Sequence, residues 1–200
     1  MSGILSENLK AASAPCGSHA AARDHLVHFY DDEDELLGSL TAYCGGALQA
    51  GENTIVIATP EHLDSLQRGL RASGVDVRRA ILEDRYICLD AETTLARFMV
   101  GGWPDGRLFR EFLARPLRRA GAHNRRIHAF GEMVALLWER GEVPAALELE
   151  HLWNEAMEEH AMTLLCAYPR RALGGDFASA AGSICAEHSG VFGLEQCVAA

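Results

Sequence analysis

The feature that most restricts the fold of this chain is a regular alternation of short β-rich runs with segments of helical periodicity. The β-rich runs are HLVHFY at 25–30, NTIVIAT at 53–59, YICLDA at 86–91, RIHAF at 126–130 and TLLCAY at 163–168. Strands that alternate with helices favour a parallel sheet with right-handed crossovers. The sequence therefore predicts an α/β fold, with a three-layer, mainly parallel sheet of five or more strands and helices on both faces.

Length and composition indicate one domain. Two hundred residues, of which 48% are hydrophobic and 23% charged, suffice for a core on both faces of such a sheet. Residues 1–22 and 193–200 lack a clear pattern, so we expect two tails around one domain at 23–192. Helical spacing over 93–121 predicts a long helical region broken at GGWPDG, and spacing over 177–188 predicts a last helix.

Charge and hydropathy exclude several classes of partner. The net charge of −10 and the pI near 5.3 argue against direct binding to nucleic acid, which normally needs a basic surface. No apolar run approaches the roughly 18 residues of a membrane span, and no signal peptide is evident. We therefore expect a cytoplasmic protein. In that compartment Cys44, Cys88 and Cys166, which lie in apolar runs, should be reduced and mostly buried.

Polar residues collect at the predicted carboxyl ends of the strands. In an open α/β sheet, ligands bind in the crevice beyond these ends. We therefore predict a ligand-binding site formed by Tyr30, Asp31, His62, Glu132 and Tyr168. Glu132 follows Gly131 where a strand meets a helix, and its carboxylate could either face the crevice or cap the helix.

The turn after the first strand, YDDEDELLGSL, is acidic. Nucleotide-binding proteins keep glycines and a lysine at this position, so that backbone N–H groups and a positive charge hold the phosphates. Five consecutive acids, Asp31 to Glu35, would instead repel a triphosphate. We expect no ATP binding there and leave the cofactor unassigned. Some of these acids could simply favour the positive end of the following helix.

The histidines and cysteines do not predict a metal site by their spacing. His25 and His28 lie three apart on a strand, where they face opposite sides and cannot enter one site. Cys185 and His188 are expected to share a helix face, but two ligands from one helix make only half of a zinc site. We therefore predict no metal, with Cys185 and His188 as the candidate ligands if one is bound.

Several motifs occur in an order that resembles a known family. HLVHFYDDEDELL, LDAETTLARFMVGGWPDGRLF, HAFGEMVALLW, LEHLWNEA, LLCAYP and ICAEHSGV together resemble the MEDS domain, a DcmR-type sensory domain of methanogens and methylotrophs, over 24–192. The resemblance implies a RecA- or KaiC-like fold that has lost its phosphate loop. It also implies a domain that senses small, hydrocarbon-like signals. Such domains commonly occur beside histidine-kinase or DNA-binding modules. This chain has no room for such modules, so we expect either that its output is another protein or that the chain is a free-standing sensor.

Three functions are compatible with the sequence. The first is a non-enzymatic sensory domain that binds a small-molecule effector and acts through a regulatory protein such as a histidine kinase or a transcription factor. The second is a degenerate RecA-type nucleotide-binding ATPase, in which Glu132 is a remnant of the metal-coordinating acid. The third is a metal or redox sensor that uses Cys185, His188 and Cys166.

Overall fold

The sheet of this protein has six parallel strands. A computed structural model describes residues 24–121, 125–174 and 177–192. The six strands are β1 (His25–Tyr30), β2 (Asn53–Ala58), β3 (Tyr86–Asp90), β6 (Ile127–Gly131), β7 (Met162–Pro169) and β8 (Gly190–Phe192). Their order across the sheet is β3-β2-β6-β7-β1-β8, and every neighbouring pair is parallel. A separate antiparallel hairpin joins β4 (Met99–Val100) to β5 (Trp103–Pro104).

Eight helices lie in the described ranges. They are α1 (Glu33–Gln49), α2 (Pro60–Ala72), α3 (Val77–Leu82), α4 (Ala91–Leu95), α5 (Gly106–Gly121), α6 (Met133–Glu139), α7 (Val143–Glu159) and α8 (Phe177–Ala186). A 3-10 turn (Arg170–Leu173) follows β7 directly. None of the helices in the described ranges combines the length and the apolar character needed to span a membrane.

The helices cover both faces of the sheet, which confirms the three-layer α/β prediction. Successive side chains of a strand point to opposite faces, so Val27 and Phe29 join the core under α4 to α8. Tyr30 joins the core under α1, α2 and α3. Trp153, fully buried beside Phe109, shows how the first of these cores is filled by aromatic side chains.

The structure confirms the five predicted strands and corrects several details around them. The region 93–121 is broken at GGWPDG as predicted, but the break is wider than expected, because the helix before it ends at Leu95 and a β4–β5 hairpin turns at Gly101 and Gly102, where φ is positive. The last helix ends at Ala186, short of the predicted 188. Cys44 and Cys166 are buried thiols outside any disulfide, as expected, whereas Cys88 is only partly buried. Both predicted tails lie outside the described residues.

Candidate functional site

A charged bridge joins three elements at the carboxyl edge of the sheet. His62, in the first turn of α2, donates from Nδ1 to Oε1 of Glu132 at 2.7 Å and from Nε2 to Glu33. Glu132 follows β6, and Glu33 is the first residue of α1. We call Glu33, His62 and Glu132 the carboxyl-edge bridge. It contains two of the residues predicted from the sequence and one, Glu33, that was not.

Main-chain contacts hold the bridge in place. The N–H of Glu132 donates to the carbonyl of Ile57 at 2.9 Å, and the N–H of Thr59 donates to Oε2 of Glu132 at 2.9 Å. Thr59 also caps α2, accepting a hydrogen bond from the N–H of His62. Glu132 makes no side-chain cap to α6. Of the two roles open from the sequence, capping of α6 is therefore excluded, and the carboxylate is directed to the start of α2.

The pKa values of His62 and of Tyr30 are both raised at the bridge. The hydrogen bond to Glu132, together with the charges of Glu132 and Glu33, raises the pKa of His62 to about 9, against the opposing effect of burial. His62 is therefore an imidazolium at neutral pH. Burial, and then the charges of Glu33 and Glu132, raise the pKa of Tyr30. Arg171 lies 3.6 Å from the Glu33 carboxylate and 3.8 Å from that of Glu139.

The remaining predicted residues occupy two different places. Asp31 is exposed, and its Oδ2 lies 3.2 Å from Nη1 of Arg170. Tyr30 lies beside the carboxyl-edge bridge, whereas Tyr168 does not. Tyr168 faces the opposite side of the sheet, where it is fully buried and its hydroxyl donates to Oε1 of Glu150 at 2.6 Å. The alternation of side chains along a strand explains this separation, because Tyr168 is paired with Phe29 and not with Tyr30.

A second group of polar side chains is enclosed under α7 and α8. We call it the buried cluster, and it consists of His25, Glu150, Cys166 and His188. Its ligand-type atoms all lie within 4.8 Å of one another. Burial, followed by the charge of Glu150, raises the pKa of the Cys166 thiol. The side chains of Glu150 and His188 have no exposed surface.

Only part of the buried cluster could be predicted from the sequence. His188 was a candidate ligand, but it lies beyond the end of α8 and does not share a helix face with Cys185. Cys185 is half-buried and lies outside the cluster. His25 and His28 face opposite sides of the sheet, as expected, and of these two only His25 belongs to the cluster. Glu150 was missed, although a carboxylate on the apolar face of a helix, one residue after Leu149, is a usable signal.

An open cleft of about 340 Å³ lies at the carboxyl end of the edge strand β3. Asp90, Arg97, Glu111, Phe112 and Arg115 contribute to its walls. It lies between α4 and α5, apart from the residues predicted to bind a ligand. The cleft is a second place where a small molecule could be tested for binding.

The fold and the site define a three-layer α/β domain with an acidic first turn and a charged carboxyl edge. The family model for MEDS, the MEthanogen/methylotroph, DcmR Sensory domain, matches residues 24–183. The chain therefore belongs to the MEDS family of sensory domains. A comparison with curated protein sequences gives no match.

Proposed function

We propose that this chain is a non-enzymatic sensing domain in which a small molecule binds at the carboxyl-edge bridge and alters the surface offered to a partner protein. The observation that carries this proposal is the position of His62, whose two ring nitrogens connect the ends of separate elements. Membership in a sensory family supports it. We place the protein in the cytoplasm.

The two halves of the bridge differ in how easily a ligand can replace them. Glu132 is 5% exposed and is fixed by the N–H of Thr59. The side chain of Glu33 is 48% exposed. A ligand oxygen that accepts the hydrogen bond from Nε2 of His62 would therefore displace Glu33 and leave Glu132 in place. Effectors with a carboxylate, hydroxyl or carbonyl group beside a small hydrocarbon body fit this exchange.

Release of Glu33 from His62 would change the contacts of charged side chains at the protein surface. Glu33 begins α1, and its carboxylate lies near Arg171 on the 3-10 turn after β7. Arg171 also contacts Glu139 at the end of α6. An effector that favours the state without the Glu33 contact would shift the population of this surface toward that state. We propose that a regulatory protein, such as a histidine kinase or a transcription factor, binds there.

The protonation of His62 argues against a role as a general base. General-base catalysis needs a nitrogen lone pair near the operating pH. With its pKa near 9, His62 donates from both nitrogens and has no free lone pair at neutral pH. The alternative of a degenerate ATPase would place a polyphosphate against the acids that begin α1. We expect calorimetry with Mg-ATP to show no micromolar binding.

Mass spectrometry of molecules released from natively purified protein tests the proposal. We expect a copurified oxygen-bearing small molecule in the wild type and its loss in His62→Gln. The matched control is Glu61→Gln, an exposed change in the same helical turn. A molecule retained equally by wild type and a folded His62→Gln variant would remove the bridge from the site, and the cleft beside Arg97 would be tested next.

A further inference from the structure

We propose that the buried cluster is a binding site for a divalent transition metal of the zinc type. The site would be closed, with one ligand atom from each of four side chains: His25 Nε2, Glu150 Oε2, Cys166 Sγ and His188 Nε2. Imidazole, thiolate and carboxylate are the ligands that zinc takes in proteins. The site lies on the face of the sheet opposite the bridge, so it stands independently of the proposed sensing function.

The spacing of the ligand atoms matches a tetrahedral metal. Nε2 of His25 lies 3.3 Å from Oε2 of Glu150 and 3.5 Å from Sγ of Cys166. Sγ of Cys166 lies 3.3 Å from Oε2 of Glu150. Metal bonds of about 2.0 to 2.3 Å at tetrahedral angles separate neighbouring ligand atoms by about 3.3 to 3.7 Å. A zinc ion would therefore fit between these three atoms without a large movement.

Outer hydrogen bonds orient both imidazoles for metal binding. Nδ1 of His188 lies 2.7 Å from the carbonyl oxygen of Ile184. Nδ1 of His25 lies 2.8 Å from Oδ1 of Asn154 and 3.1 Å from the carbonyl oxygen of Glu187. Because these oxygens only accept, each Nδ1 carries a proton, and the Nε2 atom of each ring is directed into the cluster, where its lone pair would bind the metal. Ligating histidines in metalloproteins are held in this manner.

The side chain of His188 has a buried nitrogen, Nε2, for which the described residues supply no hydrogen-bond partner. The nearest carboxylate oxygen, Oε1 of Glu150, lies 3.6 Å away. A lone pair facing a carboxylate is unfavourable, and a buried polar atom without a partner destabilises the fold. A cation between the two groups removes both penalties.

The position of the ligands indicates a structural metal. They come from β1, α7, β7 and the segment after α8, so one ion would tie four parts of the fold together. Four protein ligands leave no open position for a substrate, which is the pattern of structural zinc sites. Tyr168 holds Oε1 of Glu150 by its hydroxyl and leaves Oε2 directed toward His25 and Cys166. The metal would displace the thiol proton of Cys166 as it binds.

Cobalt titration of the full chain, stripped of metal with a chelator, tests the proposal. We expect one equivalent of Co²⁺ to bind, with a thiolate-to-cobalt charge-transfer band and tetrahedral d–d bands, and one equivalent of Zn²⁺ to remove both. Cys166→Ser should lose the charge-transfer band, and His25→Gln should weaken Co²⁺ binding at least tenfold. The matched controls are Cys185→Ser and His28→Gln, which leave the cluster intact.

Each outcome decides the proposal. A wild-type chain without the charge-transfer band, or a folded Cys166→Ser variant that keeps it, would overturn the site and leave a metal-free hydrogen-bonded cluster. If Cys166→Ser does not fold, single substitutions of the other five cysteines decide by elimination. All five should keep the band, and loss of the band in any of them would place the thiolate elsewhere and overturn the assignment.

Discussion

Glu132 accepts two hydrogen bonds, one from Nδ1 of His62 at 2.7 Å and one from the backbone N–H of Thr59 at 2.9 Å. Each carboxylate oxygen accepts one of them. The contact joins the start of α2 to the end of β6. Helix α2 follows β2, and β2 is a neighbour of β6 in the sheet. The carboxylate therefore serves the fold and, in the proposed function, holds the charged donor that an effector would meet.

Replacing Glu132 with glutamine should destabilise the protein, since the amide offers only one acceptor oxygen. Either Thr59 or His62 would then face an NH₂ group. We expect the free energy of unfolding to fall by about 1 to 3 kcal/mol, measured by urea denaturation at pH 7. Glu61→Gln, an exposed change, should have little effect. Equal stability of Glu132→Gln and wild type would show that the bridge contributes nothing to folding.

The raised pKa of His62 predicts how stability depends on pH. The unfolded pKa is near 6.5 and the folded value about 9, so the contribution of His62 is fully present below pH 6.5 and is lost between pH 6.5 and 9. We expect a loss of about 2 to 3 kcal/mol across this window. His28 and His128, whose pKa values burial lowers, act below pH 6.5 instead. His62→Gln should flatten the profile, and a wild-type profile that is already flat would contradict the bridge.

Gly69 and Gly46 offer a matched pair of glycine substitutions. A Cβ at Gly69 would lie 2.6 Å from Oγ1 of Thr41, where α2 packs on α1. Gly69→Ala should therefore cost about 1 to 3 kcal/mol. Gly46, exposed within α1, has open space around the same atom, so Gly46→Ala should stabilise by about 0.5 to 1 kcal/mol. Thermal unfolding of both variants checks the close approach of α1 and α2, and equal effects would argue against it.

Tyr168 should affect stability and leave the carboxyl edge unchanged. Tyr168→Phe removes the hydroxyl that donates to the buried carboxylate of Glu150, so we expect a cost of about 1.5 to 3 kcal/mol. The ring resonances of His62 should not move. A shift of those resonances in Tyr168→Phe, with stability unchanged, would return Tyr168 to the predicted ligand site.

The sequence predicted the sheet because alternation of strands and helices is a repeated signal, and each of the five strand runs carries its own apolar pattern. It also predicted the meeting of His62 and Glu132, since both follow parallel strands at one edge. It could not predict which face Tyr168 occupies relative to Tyr30, because that depends on the β1–β7 register. Only His188 and Cys166 of the buried cluster were named from the sequence as candidates for a metal or redox site, since its members meet only through the packing of α7 and the segment after α8.

Nitrogen-detected NMR of the imidazole of His62 tests the sensing proposal most directly. The probes are short alcohols, carboxylates and chloroalkanes of one to four carbons, titrated into the wild type and into Glu132→Gln. We expect at least one probe to shift the Nε2 resonance of His62 saturably in the wild type, with little change at Nδ1, and to lose this effect in the folded variant. Binding of a probe with no change at His62, or shifts confined to residues around Arg97 and Arg115, would contradict an effector site at the carboxyl-edge bridge.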